Sequence, residues 1–204
     1  MEVQKQREAG SAATLTTLLG STDTEFSGRG MFSEVSVSPC RKYAVKSSEH
    51  ALSDGWLLYA ATLLTMDDLP DWALRVYHLR VDLENGTFCA LMECLEEGDE
   101  CLGELPDKIL SEIDIDDYED CDPRGLAMFD FLSTLEALSG VPLVMDCHDA
   151  NRMARPCGTM VFSDPTAVSK WFRAKDDPEE YYADRFRAYI ESCAERAKGR
   201  IELV

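Results

Sequence analysis

VMDCHDANRMARPCGTMVFSDP, residues 144–165, is the stretch whose reading decides the fold. It opens with Asp146 and Asn151, five positions apart, and closes on Ser163-Asp164-Pro165. The run Val141 to Met145 suits a short apolar strand that delivers Asp146, and Thr159-Met160-Val161-Phe162 suits a second one that leads to Asp164. Asp164 follows Asp146 by 18 positions. Carboxylate, amide, carboxylate in this order is what phosphoryl transfer requires. The first group orients and deprotonates a hydroxyl, and the other two supply oxygen ligands for magnesium. Taken alone, the same residues also suit a polar loop with a capped turn.

Working outward, composition narrows the choices. A chain of 204 residues, 45% hydrophobic, is long enough for one domain or two small lobes and can bury a core. No apolar run approaches the ~18 residues of a membrane span. The N-terminus lacks a long apolar segment of the secretory kind. The eight cysteines include no CxxC pair, and with three histidines they form no zinc-ligand pattern, so reduced thiols are expected. A net charge of −19 disfavours direct nucleic-acid binding, which needs clustered Lys and Arg, and favours basic partners. The acid concentrates between Glu93 and Asp122, expected as a solvated insert over 96–122.

Upstream, residues 1–20 read as a polar tail and a short helix, Ala12 to Leu19. Strands are expected at Glu25 to Ser27 and Glu34 to Val37, joined by a hairpin in which Gly28 and Gly30 let backbone approach a phosphate. The fuller text is G-x-G-x-F-S-x-V, with Phe32, Ser33 and Val35 in its second half. Eleven positions after Val35, Lys46 ends Tyr43-Ala44-Val45-Lys46. Strand alternation puts Ala44 and Lys46 on one face, where a small residue admits a flat ring and the ammonium reaches phosphates. Ser53-Asp54 caps a helix through Trp56 and Leu64. Val76 to Leu83 and Phe88 to Met92 pair across the turn Glu84-Asn85-Gly86-Thr87. Leu91-Met92-Glu93-Cys94-Leu95 then leaves the sheet as a hinge.

Downstream, a short helix is expected at Asp107 to Ile113. Another runs from Pro123 to Leu138, with Leu126, Phe129, Leu132, Leu135 and Leu138 toward the core and Gly140 stopping it. The last long helix is Pro178 to Lys198, with Tyr182, Phe186, Tyr189, Ile190 and Cys193 as its apolar stripe, and Trp171 and Phe172 anchor the connection before it.

In order, G-x-G-x-F-S-x-V, Y-A-V-K, L-M-E-C-L, D-x-H-x-x-N and S-D-P resemble the segments of eukaryotic-like protein kinases. More closely, the chain looks like the early serine/threonine kinases of T7-like bacteriophages, in Gly30-Met31-Phe32-Ser33, in Met145 to Met153 and in Ser163-Asp164-Pro165. The resemblance spans about Phe26 to Lys170. It implies an α+β, two-lobed kinase-like fold. Residues 21–95 would form an antiparallel sheet lobe with one helix. Residues 96–204 would form a reduced, mainly helical lobe holding the acidic insert, the catalytic loop at 144–165 and the helix at 178–198. It further implies that Gly28 to Val35 cover the ATP phosphates and that Lys46 holds them. Val35 and Ala44 would sandwich adenine, with Met92 as gatekeeper and the Glu93 carbonyl and Leu95 amide on the adenine edge. Asp146 would be the catalytic base, and Asn151 and Asp164 would hold Mg2+ or Mn2+.

The implied activity is phosphorylation of Ser or Thr in host bacterial proteins during phage takeover. Targets would lie in transcription and RNA metabolism, and the place of action would be the host cytoplasm. Four departures stand beside the resemblance. The helix after Lys46 has no Glu, which leaves Glu49 or Asp54 as possible partners. Met145 stands where an Arg usually precedes the base, and His148 stands where protein kinases have Lys, as in aminoglycoside and choline kinases. Only 39 residues follow Pro165. Two other expectations therefore remain open: a small-molecule phosphotransferase, and a kinase-like acidic binding or inhibitor protein without catalysis.

Overall fold

A computed structural model of the chain describes residues 25–29, 33–49, 54–98, 123–168 and 178–204. The fold is mixed α+β. Five strands come first: β1 (Glu25–Arg29), β2 (Ser33–Val37), β3 (Tyr43–Ser48), β4 (Val76–Asp82) and β5 (Thr87–Glu93). They pair antiparallel in the order β1-β2-β3-β5-β4. The β1–β2 hairpin carries a register shift between Phe26 and Gly28, while Val35 lies opposite Lys46 and Ala44 opposite Met92. The turn between β4 and β5 is closed by Asp82, whose carboxylate accepts from the Glu84 and Asn85 amides, and Gly86 supplies the positive φ of 65°.

Between β3 and β4 lies helix α1 (Gly55–Thr65). Asp54 caps it: its Oδ1 accepts from the Trp56 amide at 3.0 Å. Nine of the helix's eleven residues are buried, so this is a central helix and not a surface one with a single apolar stripe. The reason is contact on several sides, with β4, with helices α2 (Pro123–Ser139) and α3 (Pro178–Arg196), and with strand β10 (Thr166–Val168). Gly55 lets β10 approach, because a Cβ there would meet the Thr166 carbonyl oxygen at 2.9 Å.

The second half adds short strands to its two helices. β7 (Leu143–Met145) pairs with β10, and β6 (Glu96–Glu97), β8 (Arg152–Ala154) and β9 (Met160–Phe162) form a three-stranded sheet. The expected strands at Val141 to Met145 and Thr159 to Phe162 are thus present as β7 and β9. After α3, Lys198 and Gly199 turn the chain at φ of 54° and 81°, and β11 (Ile201–Leu203) runs parallel to β4 as the sixth strand of the first sheet. One buried cluster joins residues before and after position 95: Trp56, Leu64, Leu79 and Phe88 pack with Met128, Leu135, Phe162, Phe186 and Ile190. Each such side chain contributes about 1.5–3 kcal/mol by leaving water.

The expected inward face of α2 needs correction. Leu132 and Leu135 are buried, but Leu126 and Phe129 are only partly so, and Leu138 is 62% exposed. The buried stripe is Gly125, Met128, Leu132, Leu135 and Ser139, a rotation that spacing among the larger side chains did not reveal. Gly140 (φ 64°) ends the helix as expected, and its carbonyl accepts from Arg185 Nη1 of α3 at 3.1 Å. In α3, Phe186, Tyr189, Ile190 and Cys193 are buried as expected, with Tyr182 half-buried. The expected helices at Ala12 to Leu19 and Asp107 to Ile113, and the Trp171-Phe172 anchor, lie outside the described residues. Among the described residues no helix is long and apolar enough to cross a membrane, and Cys40, Cys89, Cys94, Cys147, Cys157 and Cys193 are free thiols.

Candidate active site

Strand β3 delivers Lys46 inward. The residue is only 4% exposed, and its Nζ donates to Asp164 Oδ2 at 2.7 Å. The two are 118 positions apart, and Asp164 is the more open partner, with 37% of its side chain exposed. Of the two acids expected as alternatives, Glu49 is exposed and Asp54 caps α1 through its Oδ1. The face of the Trp56 indole lies beneath the ammonium, 4.4 Å from ring centroid to Nζ.

The segment carrying Asp164 is tied to α1 and to the loop carrying Asp146 and Asn151. Trp56 Nε1 donates to the Ser163 carbonyl at 2.9 Å, and the Tyr59 hydroxyl donates to the Phe162 carbonyl at 2.9 Å. Burial pushes the Tyr59 phenol far above its ordinary pKa, so it stays neutral, and its oxygen also accepts from the Leu74 amide at 3.2 Å. The Asp146 amide donates to the Pro165 carbonyl at 2.8 Å, and the Ser163 amide donates to the Asn151 carbonyl at 2.8 Å. These backbone bonds fix the two chain segments side by side.

Asp146 follows the buried end of β7, Met145, and precedes buried Cys147. Its own side chain is about one-third exposed. A single 3₁₀ turn, Asp149–Asn151, then brings Asn151 back toward it. Asn151 Nδ2 donates to the Asp146 carbonyl at 2.8 Å, and Oδ1 is the acceptor atom of that amide. His148 Nε2 lies 3.4 Å from Asp146 Oδ1 and 3.3 Å from Asn151 Nδ2. It cannot donate to the first and accept from the second at once, so its tautomer selects between them.

The residues expected to carry chemistry are therefore brought together: Lys46 contacts Asp164, Asn151 contacts Asp146, and Ser163 and Pro165, the neighbours of Asp164, bond the backbone of Asn151 and Asp146. Ala44 is buried on β3 beside Met92 of β5, Val35 is half-buried opposite Lys46, and Ser33 begins β2. Gly28 lies in β1, while Gly30 and Phe32 fall outside the described residues. Leu95 is partly buried against the core.

Glu93 has a further role that spacing does not disclose. Its carboxylate receives Arg155 Nη2 at 2.7 Å and Nε at 2.8 Å, and it also accepts from the Arg75 amide at 2.9 Å. Arg155 additionally donates to the Asp71 and Ala73 carbonyls. Burial works against the charge of Arg155, but the Glu93 hydrogen bonds and charge prevail and hold its pKa above the ordinary value. This buried fork ties the end of β5 to the turn after β8. Trp56, Tyr59 and Arg155 are the site-supporting residues that motif reading missed.

No family model matches the sequence, and no curated protein matches it. The donors suit a hard divalent cation. Asp164 has one oxygen engaged by Lys46 and a second to offer, and Asn151 offers Oδ1. Magnesium takes one or two such protein oxygens and completes its shell with water and phosphate.

Proposed function

We propose that the chain is an ATP-dependent phosphotransferase with a protein-kinase-like, two-lobed arrangement, acting on Ser or Thr of host bacterial proteins. The observation that carries this reading is the Lys46–Asp164 contact, made by a strand lysine and a carboxylate whose segment is bonded to the Asp146–Asn151 loop. A lysine on the third strand, a base, and an amide and a carboxylate as metal ligands are the parts that phosphoryl transfer between ATP and a hydroxyl needs. The strand order and the position of α1 between β3 and β4 agree with it.

In this reading Asp146 receives the proton of the acceptor hydroxyl, and its partial exposure gives that hydroxyl access. Lys46 exchanges Asp164 for phosphate oxygens and holds them as a point charge. Asn151 and Asp164 hold Mg2+ or Mn2+, which when bound neutralises phosphate charge. The backbone bonds between 146–151 and 163–165 fix these groups before substrate arrives, which is where rate enhancement by positioning originates.

One observation favours a second reading, phosphorylation of a small amine or alcohol. His148, and not a lysine, stands 3.4 Å from the base. The two are separated by incubating the protein with radiolabelled ATP and either bacterial lysate or a panel of aminoglycosides and amino alcohols. Label in Ser and Thr of proteins, lost in Asp146→Ala, supports protein phosphorylation. Label confined to small molecules supports the second reading, and no transfer in either arm overturns both.

A further inference from the structure

Helix α1 has no carboxylate to set against Lys46; its sequence is GWLLYAATLLT. What it presents is Trp56. This residue is 0% exposed, stacked on Phe88 of β5 at 5.4 Å and 15°, and anchored at its own amide by the Asp54 cap. Its ring face meets Lys46 Nζ, and its Nε1–H holds the carbonyl of Ser163, the residue before Asp164. One clamped side chain thus touches Lys46 and the residue next to its partner Asp164.

We infer that Trp56 is a positioning residue that takes the place of a helix carboxylate, its ring face centring the Lys46 ammonium and its N–H fixing the Asp164 segment. The catalytic meaning of this inference rests on the phosphotransferase reading; the contact itself does not. An indole attracts a cation through its quadrupole and carries no net charge. A carboxylate at the same place competes with phosphate for the ammonium. Trp56 aims the ammonium and leaves its charge for phosphate. The ring contact can therefore persist when phosphate displaces Asp164, so the lysine stays oriented through the exchange.

The test uses the full chain labelled with 13C-lysine, with the Lys46 signal assigned by its absence in Lys46→Met. Ring currents displace the Lys46 ε-proton resonance upfield in the wild type. The displacement is retained in part in Trp56→Phe and lost in Trp56→Leu. In turnover, Trp56→Leu raises KM for ATP about tenfold, while Trp56→Phe stays within about threefold. An undisplaced Lys46 resonance in the wild type overturns the inference, as does an unchanged KM in a Trp56→Leu protein shown by circular dichroism to be folded. If Trp56→Leu does not fold, the wild-type and Trp56→Phe spectra decide. A displaced resonance that ignores magnesium ATP, with no turnover, overturns the phosphotransferase reading and leaves the ring contact standing.

Discussion

Lys46 Nζ lies 2.7 Å from Asp164 Oδ2, and the lysine is the buried member of the pair. Solvent reaches the contact from the carboxylate side, so in the proposed reaction an incoming phosphate would meet Lys46 by displacing Asp164. Lys46→Met keeps most of the apolar stem of the side chain and removes the charge. Phosphotransfer, read as kcat/KM for ATP, is expected to fall about 10²–10³-fold. Stability to urea should change by less than about 1.5 kcal/mol, because the partner left behind, Asp164, is partly exposed and water can solvate it. Loss of folding in this variant would mean that the pair is structural.

Asp164→Asn retains a hydrogen-bonding oxygen for Lys46 but removes the negative charge offered to a metal. Activity titrated against magnesium should require more metal and fall about 10²-fold at a fixed concentration. Chelation with EDTA should abolish turnover in the wild type and be reversed by added magnesium or manganese. A magnesium response identical in the two proteins would remove Asp164 from the metal site.

The Glu93–Arg155 fork is buried on both sides, with side-chain exposures of 9% and 8%. Arg155→Ala strands the Glu93 carboxylate and leaves the Asp71 and Ala73 carbonyls without their donor. Chemical denaturation should show a loss of about 3–5 kcal/mol. The double variant Arg155→Met with Glu93→Met should recover a substantial part of it. Equal loss in single and double variants would show that the carbonyl contacts, not the stranded charge, carry the cost.

His78 on β4 is 3% exposed and sits 3.7 Å from Glu202 on β11. Burial lowers its pKa despite the raising influence of Glu202. With the folded pKa below the unfolded value, the unfolded chain binds the proton more readily. His78 is thus fully stabilising above the unfolded pKa of about 6.5, and that stability is lost as pH falls from there toward the folded value. Thermal melts of wild type and His78→Leu between pH 7.5 and 5.5 should show a steeper decline for the wild type. Parallel curves would mean that His78 titrates alike in both states.

Local pattern made the β1–β2 hairpin, β3, the β4–β5 pair and the α2 and α3 helices legible, because each carries its own alternation, cap or stop. The order of motifs made Lys46, Asp146, Asn151 and Asp164 legible as candidates. What escaped were relations across distance. β11 is three residues long and finds its partner on β4 far upstream. The α2 face was misjudged because Leu138 and Leu126 outweighed Gly125 and Ser139, the small residues that close packing selects. Trp56 read correctly as core, but helical spacing does not say which buried side chain faces a lysine on a neighbouring strand. Arg155 stood in what looked like a plain loop, and only the fold brings it to Glu93.

The most direct measurement of the central claim is transfer of the ATP γ-phosphate to bacterial lysate proteins by the wild type and by Asp146→Asn at equal folded concentration. Magnesium-dependent labelling of Ser and Thr is expected in the wild type, with a rate about 10²–10⁴-fold lower in the variant. Absence of transfer by the wild type, or undiminished transfer by Asp146→Asn, contradicts it.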